Sequence, residues 1–191
     1  RGSREPCGAC GVWRRGLCVC VREAFLFFRV NGMRTFGWAA TVALAIGLAG
    51  AEKPDAVYAA LAKKAASGDA QVDYRALRLA CAAASACNAR GDRDVLQAMR
   101  QAWRAGDPKK TVALAEKLIA AGFPQIEAHM LSAQAYDTLK KQAEAGRHKA
   151  IAEGLLRSIL QSGDGKTKET AFEVIGTHEE YLTLAAMGLQ V

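Results

Sequence analysis

This chain is short of the features that announce chemistry. It has three histidines in 191 residues, and none stands in the H-E-x-x-H spacing that sets two imidazoles and a general base on one helix face. Its Gly-rich stretch Ser162-Gly163-Asp164-Gly165-Lys166-Thr167 carries Leu160 where a phosphate loop requires its first glycine, and it follows a helical segment where that loop needs a strand. That argues against nucleotide binding. The apolar stretch from Ala24 to Ala51 is interrupted by Arg29, Asn31 and Arg34, which leaves it short of the ~20 residues that span a bilayer. Four of the six cysteines, Cys7, Cys10, Cys18 and Cys20, read C-x2-C-x7-C-x-C. Zinc sites separate two such pairs by roughly 12–20 residues, so this spacing makes a poor metal knuckle.

What the chain does have is a targeting pattern. Met33 and Arg34 precede an apolar run from Phe36 to Leu48 that ends in Ala49-Gly50-Ala51, the order of a secretory signal peptide. Residues 1–32 then read as an upstream extension and 52–191 as a single mature domain, 140 residues being enough for one core. An N-terminal membrane anchor is the alternative. The boundary also alters the charge. Of 26 Lys+Arg and 19 Asp+Glu, residues 1–51 hold seven and two, so the net charge of +7 falls to +2. A basic nucleic-acid or membrane footprint disappears with the leader.

The mature part reads as mostly α, in stacked antiparallel helix pairs of tetratricopeptide-like character, with a short C-terminal strand and helix. Helices are expected near Asp55–Ser67 and Tyr74–Ser85, the second capped by Asp73, and a third opens at Asp92. Gly106 ends the third, Asp107 caps a fourth with Pro108 in its first turn, and Gly122 ends it. A fifth begins at Pro124, and Gly146 separates it from a sixth carrying Ile151, Leu155 and Ile159. The stretches from Ala105 and from Ala145 echo each other at a spacing of 40, as stacked repeats do. Phe172–Ile175 alternates like a strand that has no partner within the mature part. Thr177 and Glu180 form a capping box opening the last helix.

Several segments resemble a bacterial family known as domain of unknown function 4919. They are Ser162-Gly163-Asp164-Gly165-Lys166, Thr170-Ala171-Phe172-Glu173-Val174-Ile175, Glu179-Glu180-Tyr181-Leu182 and Gly188-Leu189. Asp73–Arg78, Gly106-Asp107, Ala128-His129 and His148 fit the same order, so the likeness spans roughly Tyr58 to Val191. It implies an exported protein with a signal peptide, a helical body and a short β segment after the last helix. The chain stops where that segment should begin, which points to a C-terminally incomplete domain. The resemblance implies no activity.

Three sets of residues are candidates for function. His129 on the fifth helix and His148 at the start of the sixth come within reach if those helices are antiparallel, and a metal or acid–base cluster would draw on them. Cys81 and Cys87 form a disulfide only if the second helix stops near Ala84, because six residues apart on a helix they point about 240° apart. Ser162, Gly163, Asp164, Gly165 and Lys166 form a candidate interaction loop. No cofactor is expected. With no catalytic set evident, the expectation is a non-catalytic module binding another envelope protein. The alternative is an envelope enzyme or metal-binding protein using His129 and His148.

Overall fold

The computed structural model describes residues 10–14, 17–21, 53–88 and 92–189, the first two segments as backbone only. Met33–Ala51, expected from the sequence to be a signal peptide, lies outside the described residues. Seven helices make up most of the fold: α1 (Pro54–Ala66), α2 (Tyr74–Ala83), α3 (Arg93–Arg104), α4 (Pro108–Ala121), α5 (Ile126–Thr138), α6 (Gln142–Leu160) and α7 (Thr177–Ala186). Three strands accompany them: β1 (Cys10–Arg14), β2 (Leu17–Val21) and β3 (Phe172–Val174). Among the described residues no helix is long and apolar enough to cross a membrane.

Local chemistry sets most boundaries. Asp73, Asp92 and Asp107 each accept a backbone N–H in the first turn of α2, α3 and α4, from Ala76, Asp94 and Val95, and Lys110 respectively. Each satisfies donors that the helix start leaves orphaned. Pro108 opens α4, where its missing N–H costs nothing. Gly106 turns between α3 and α4 at φ 72°, a left-handed value that a side chain resists.

The α5–α6 boundary corrects the sequence reading. The turn falls at Leu139–Lys141, with Lys140 at φ 62°, and Gly146 lies inside α6. Lys140 N–H bonds the Asp137 carbonyl and Lys141 N–H bonds the Tyr136 carbonyl, so backbone bonds hold the turn without glycine. The 40-residue echo therefore pairs a turn glycine, Gly106, with a helical one. A Cβ at Gly146 meets no atom within 4 Å. Gly146→Ala should raise stability by about 0.5–1 kcal/mol in urea unfolding, because it removes only the entropic cost of a helical glycine.

Consecutive helices joined by short turns pack together: α1 on α2, α3 on α4, α4 on α5, and α5 on α6. The long α6 is the hub, since α2, β3 and α7 also rest on it. Packing α2 against α6 folds the first pair onto the last, whereas an open solenoid would keep contacts between sequence neighbours. The core has two parts. Leu77, Ile126, Ile151, Leu155, Ile159, Phe172, Val174 and Leu184 gather around α6, while Met99, Ala115, Leu118 and Ala128 lie between α3, α4 and α5. Gly154 matters to the first, for a Cβ there would enter the space of the Tyr74 ring. That contact lets α2 approach α6 closely.

The sheet has the order β1-β2-β3, with β1 and β2 antiparallel and β2 and β3 parallel. Leu17, Val19 and Val21 alternate with Cys18 and Cys20, a period of two that suits a strand. Reading residues 1–32 as an upstream extension assigns no element there. β3 thus takes its partner from Leu17–Val21, far ahead of it in the sequence.

At α7 the expected capping box is replaced. Gly176 is the N-cap, and Thr177 begins the helix without a side-chain cap bond. The Glu179 carboxylate reaches back to accept the N–H of Ile175 at 2.9 Å. Its larger engagement is with Arg78. The guanidinium donates through Nε and Nη2 to both Glu179 oxygens at 2.9 and 2.7 Å, and Nη2 also reaches the Glu173 carbonyl at 2.6 Å. Arg78 also bonds Ser158 of α6 through Nη1 at 3.3 Å. This one side chain joins α2, α6, β3 and α7.

Candidate functional site

His129 and His148 stand on neighbouring helices with their Nδ1 atoms 3.0 Å apart. His129 Nε2 lies 2.9 Å from the Phe123 carbonyl. A carbonyl only accepts, so Nε2 carries the His129 proton, its Nδ1 accepts, and His148 Nδ1–H donates to it. Three of the four ring nitrogens are committed by this arrangement. Tyr136 stacks on His148 with centroids 5.5 Å apart, and Phe123 lies 5.1 Å from the His129 ring. Burial pushes His129 down to about 3, against the smaller upward pull of the Phe123 carbonyl. Burial, with Arg147 nearby, also lowers His148. Both imidazoles are therefore neutral at pH 7, in a packed and mostly apolar contact.

Among the described residues no group of three or more His, Cys, Asp or Glu side chains is placed to hold a metal ion. Two acids on these helices turn away from the pair. Glu127 turns to Arg100, and Glu153 lies 4.0 Å from Lys149.

A second polar cluster escaped the sequence reading. Arg100 of α3 donates to both Glu127 oxygens at 2.6 Å, a bidentate pair, and His178 of α7 brings Nε2 to 3.1 Å from the same carboxylate. The histidine contact is close but poorly aligned for a hydrogen bond. Burial alone would raise the Glu127 carboxyl, but the bonds from Arg100, helped by His178, hold it at about 2. These residues are 27 and 51 positions from Glu127 (α3 and α7 against α5), so no local spacing signals the cluster. Its geometry is that of a strut between three helices.

Cys81 and Cys87 are joined by a disulfide, with Cα atoms 5.2 Å apart. α2 ends at Ala83, and Ala84 is extended, which swings Cys87 back onto the helix. The loop that follows is clamped. Ser85 Oγ and the Ala86 N–H donate to Asp55, the Asn88 N–H donates to the Ala121 carbonyl, and Gln125 Nε2 donates to the Asn88 carbonyl. A Cβ at Gly122 would collide with the Asn88 carbonyl.

The Ser162–Lys166 loop is also built inward. Ser162 Oγ accepts the Glu173 N–H and donates to the Ile159 carbonyl. The N–H groups of Asp164 and Gly165 both bond the Thr170 carbonyl at 2.9 and 2.8 Å. Gly165 sits at φ 68°, and a Cβ at Gly163 would strike the Thr170 carbonyl. Its glycines answer to turn geometry, and two N–H groups that an anion cradle would turn outward are spent within the loop.

Concave surfaces lie elsewhere, one of them a hollow of about 970 Å³ between the Gly68–Arg75 turn and α6. A groove of about 600 Å³ runs along the outer side of α5 and α6, floored by Met130, Ala133, Ala145, Ala152 and Leu156. Gln134, Asp137, Gln142, Lys149 and Glu153 line its polar margins. Met130 is 40% exposed there, one of two large apolar side chains so exposed among the described residues. On the same helix, the Ser132 hydroxyl is buried without a hydrogen-bond partner. Ser132→Ala should stabilise the fold by about 1 kcal/mol, read from the urea midpoint, because it removes an unsatisfied buried group.

No curated protein and no solved structure matches the chain. Residues 67–191, well over half of the sequence, match the family described as Domain of unknown function (DUF4919), and the chain belongs to that family.

Proposed function

We propose that this is an exported, non-catalytic helical module that binds another envelope protein through the α5–α6 groove. The groove itself carries the reading. Its floor is apolar, with positions 130 and 133 on α5 and 145, 152 and 156 on α6 at helical spacing. Alanines at 133, 145 and 152 leave room for a third helix to approach closely, and the mixed charges at the margin suit the polar flanks of an amphipathic helix. The occupant in this reading is a partner helix with one apolar stripe.

Two features support export: the Met33–Ala51 pattern and the Cys81–Cys87 disulfide, which persists in oxidising compartments. The His129–His148 contact lends little to an enzyme, since three of its four ring nitrogens are already bonded.

The test is a fold-preserving block of the groove. Ala133→Arg keeps a good helix former at a partly exposed position while filling the groove with a charged side chain. The variant should melt within a few degrees of the parent, yet lose at least tenfold in association with the envelope partner, read by native size exclusion. Equal complex formation by both forms contradicts the proposal. An intact-mass measurement of the envelope form checks the export reading, with a chain beginning at Glu52 expected.

A further inference from the structure

We infer that the hollow on the α2 side of α6 binds a short acidic saccharide, with its carboxylate or phosphate on Arg157 and Arg75 and its hydroxyls on the carboxylates around them. The site is independent of the α5–α6 groove.

Two elements form it. The turn and helix start Gly68–Arg75 make one wall, and Arg147, Ala150, Ile151, Gly154 and Arg157 of α6 make the other. Those α6 positions recur every three or four residues, so they share one face. At about 100° per residue, the groove positions Ala145, Ala152 and Leu156 fall on nearly the opposite face, and Glu153 stands at the edge of both. The volume of about 970 Å³ is at the upper end of the range for small-ligand clefts.

The charges in the hollow do not neutralise one another. Arg75, Arg147 and Arg157 line it together with Asp69, Asp73 and Glu153. Arg147 and Arg157 nonetheless make no hydrogen bond or ion pair among the described residues. The acids answer to other groups. Asp69 and Asp73 accept the N–H of Gln71 and Ala76, and Glu153 lies 4.0 Å from Lys149. Arg75 spends Nε and Nη2 on Glu173. That pairing brings Arg75 to the C-terminal end of α6, because the Glu173 N–H bonds Ser162 Oγ, just past the last turn that carries Arg157. The full Arg157 fork and the Arg75 Nη1 are therefore left at one end of the hollow, and a guanidinium fork matches a carboxylate or phosphate in a bidentate way.

The rest of the lining says what else the ligand carries. Three cations against three anions leave no net positive field, so a polyanion such as nucleic acid gains little. A carboxylate with one oxygen on a backbone N–H keeps lone pairs for hydroxyl donors. Tyr74, whose ring packs against Gly154, adds a phenol that bonds nothing among the described residues. Val72, Ala150 and Ile151 offer apolar contact for the C–H face of a sugar ring. Arg147 stands about 15 Å along α6 from Arg157, farther than one ring reaches, so the hollow takes more than one sugar unit.

The experiment uses the full chain and the arginine Nε–H signals in nitrogen-labelled protein, titrated at constant ionic strength. The probes are digalacturonate, trehalose phosphate, uncharged trehalose and acetate. Digalacturonate or trehalose phosphate should shift the Arg157 and Arg75 signals in a saturable way, and the tighter of the two tells carboxylate from phosphate. Trehalose and acetate should bind at least tenfold more weakly, each lacking half of the chemistry. Arg157 also lies in the last turn of α6, where a cation suits the helix C-terminus. Arg157→Lys keeps that charge and removes the fork, so it should melt with the parent yet lose at least fivefold in affinity. Arg157→Gln should lose at least tenfold, while Lys117→Gln on α4 should bind as the parent does. No saturable shift from either acidic disaccharide, equal affinity for trehalose, shifts that acetate reproduces, or unchanged affinity in Arg157→Gln overturns the site.

Discussion

Arg78→Ala should cost about 3–5 kcal/mol in unfolding free energy, the range for stripping one partner from a buried ion pair. The guanidinium is fully buried and the Glu179 carboxylate 7% exposed, so neither is rescued by water. Truncation leaves the Glu179 carboxylate in the interior without its bidentate partner, the Ile175 N–H still donating to it. It also removes the bonds to Ser158 and the Glu173 carbonyl. A domain of this size has roughly 5–15 kcal/mol to lose, so the variant should be severely destabilised or unfolded at ambient temperature. The paired change Arg78→Met with Glu179→Leu should cost much less than the two single changes together, because no charge is left unpaired. Urea unfolding of the four proteins forms the cycle. A loss below 1 kcal/mol for Arg78→Ala would mean the network is a bystander.

Acid should destabilise the fold in two windows. His129 is held neutral down to about 3, against an ordinary value of 6.5, chiefly by burial. Between those values the unfolded chain binds a proton that the folded chain refuses. Stability contributed by the neutral ring is complete above 6.5 and is lost as pH falls toward 3. Each pH unit of that window is worth about 1.4 kcal/mol, so the loss reaches several kcal/mol. Glu127 works lower. Held at about 2 against an ordinary 4.5, its carboxylate contributes stability above 4.5 that disappears as pH falls through 2. His129→Gln, which keeps a donor for the Phe123 carbonyl, should flatten the upper window while leaving the lower one in place. Glu127→Gln should do the reverse, at a cost near neutrality from the lost Arg100 pair. Unfolding free energies at half-unit steps from about pH 7 to about pH 2 test both, and identical slopes for parent and His129→Gln would contradict this role.

The legible parts of the fold are those that local chemistry writes. Asp73, Asp92 and Asp107 cap helices because short acceptors before apolar stripes have little else to do, and Pro108 marks a first turn unambiguously. The closeness of His129 and His148 follows from two antiparallel helices joined by a short turn. Gly146 misled because glycine usually ends helices, whereas Lys140 makes the actual turn at a positive φ with backbone bonds alone. The Cys81–Cys87 bridge depended on a single boundary, the end of α2 at Ala83, which propensity fixes poorly in an alanine-rich segment. Arg78 and Glu179 are 101 positions apart, and Arg100, Glu127 and His178 span three helices. Such pairings are decided by how helices stack, so no window of sequence holds them. Glu179 lies in the first turn of α7, where a surface carboxylate is favoured by the helix N-terminus alone, and only tertiary packing makes it a buried partner.

The central claim is that the α5–α6 groove receives a helix of another protein. Site-specific photo-crosslinking in the native envelope tests it most directly, with the probe at Gln134 on the groove margin and, as control, at exposed Lys117 on α4. The account predicts one discrete adduct from Gln134, mapping by mass spectrometry to an amphipathic helix of a different protein, absent from Lys117 and abolished by Ala133→Arg. No adduct from Gln134, an equal adduct from Lys117, or an adduct solely to a second copy of this chain would contradict it.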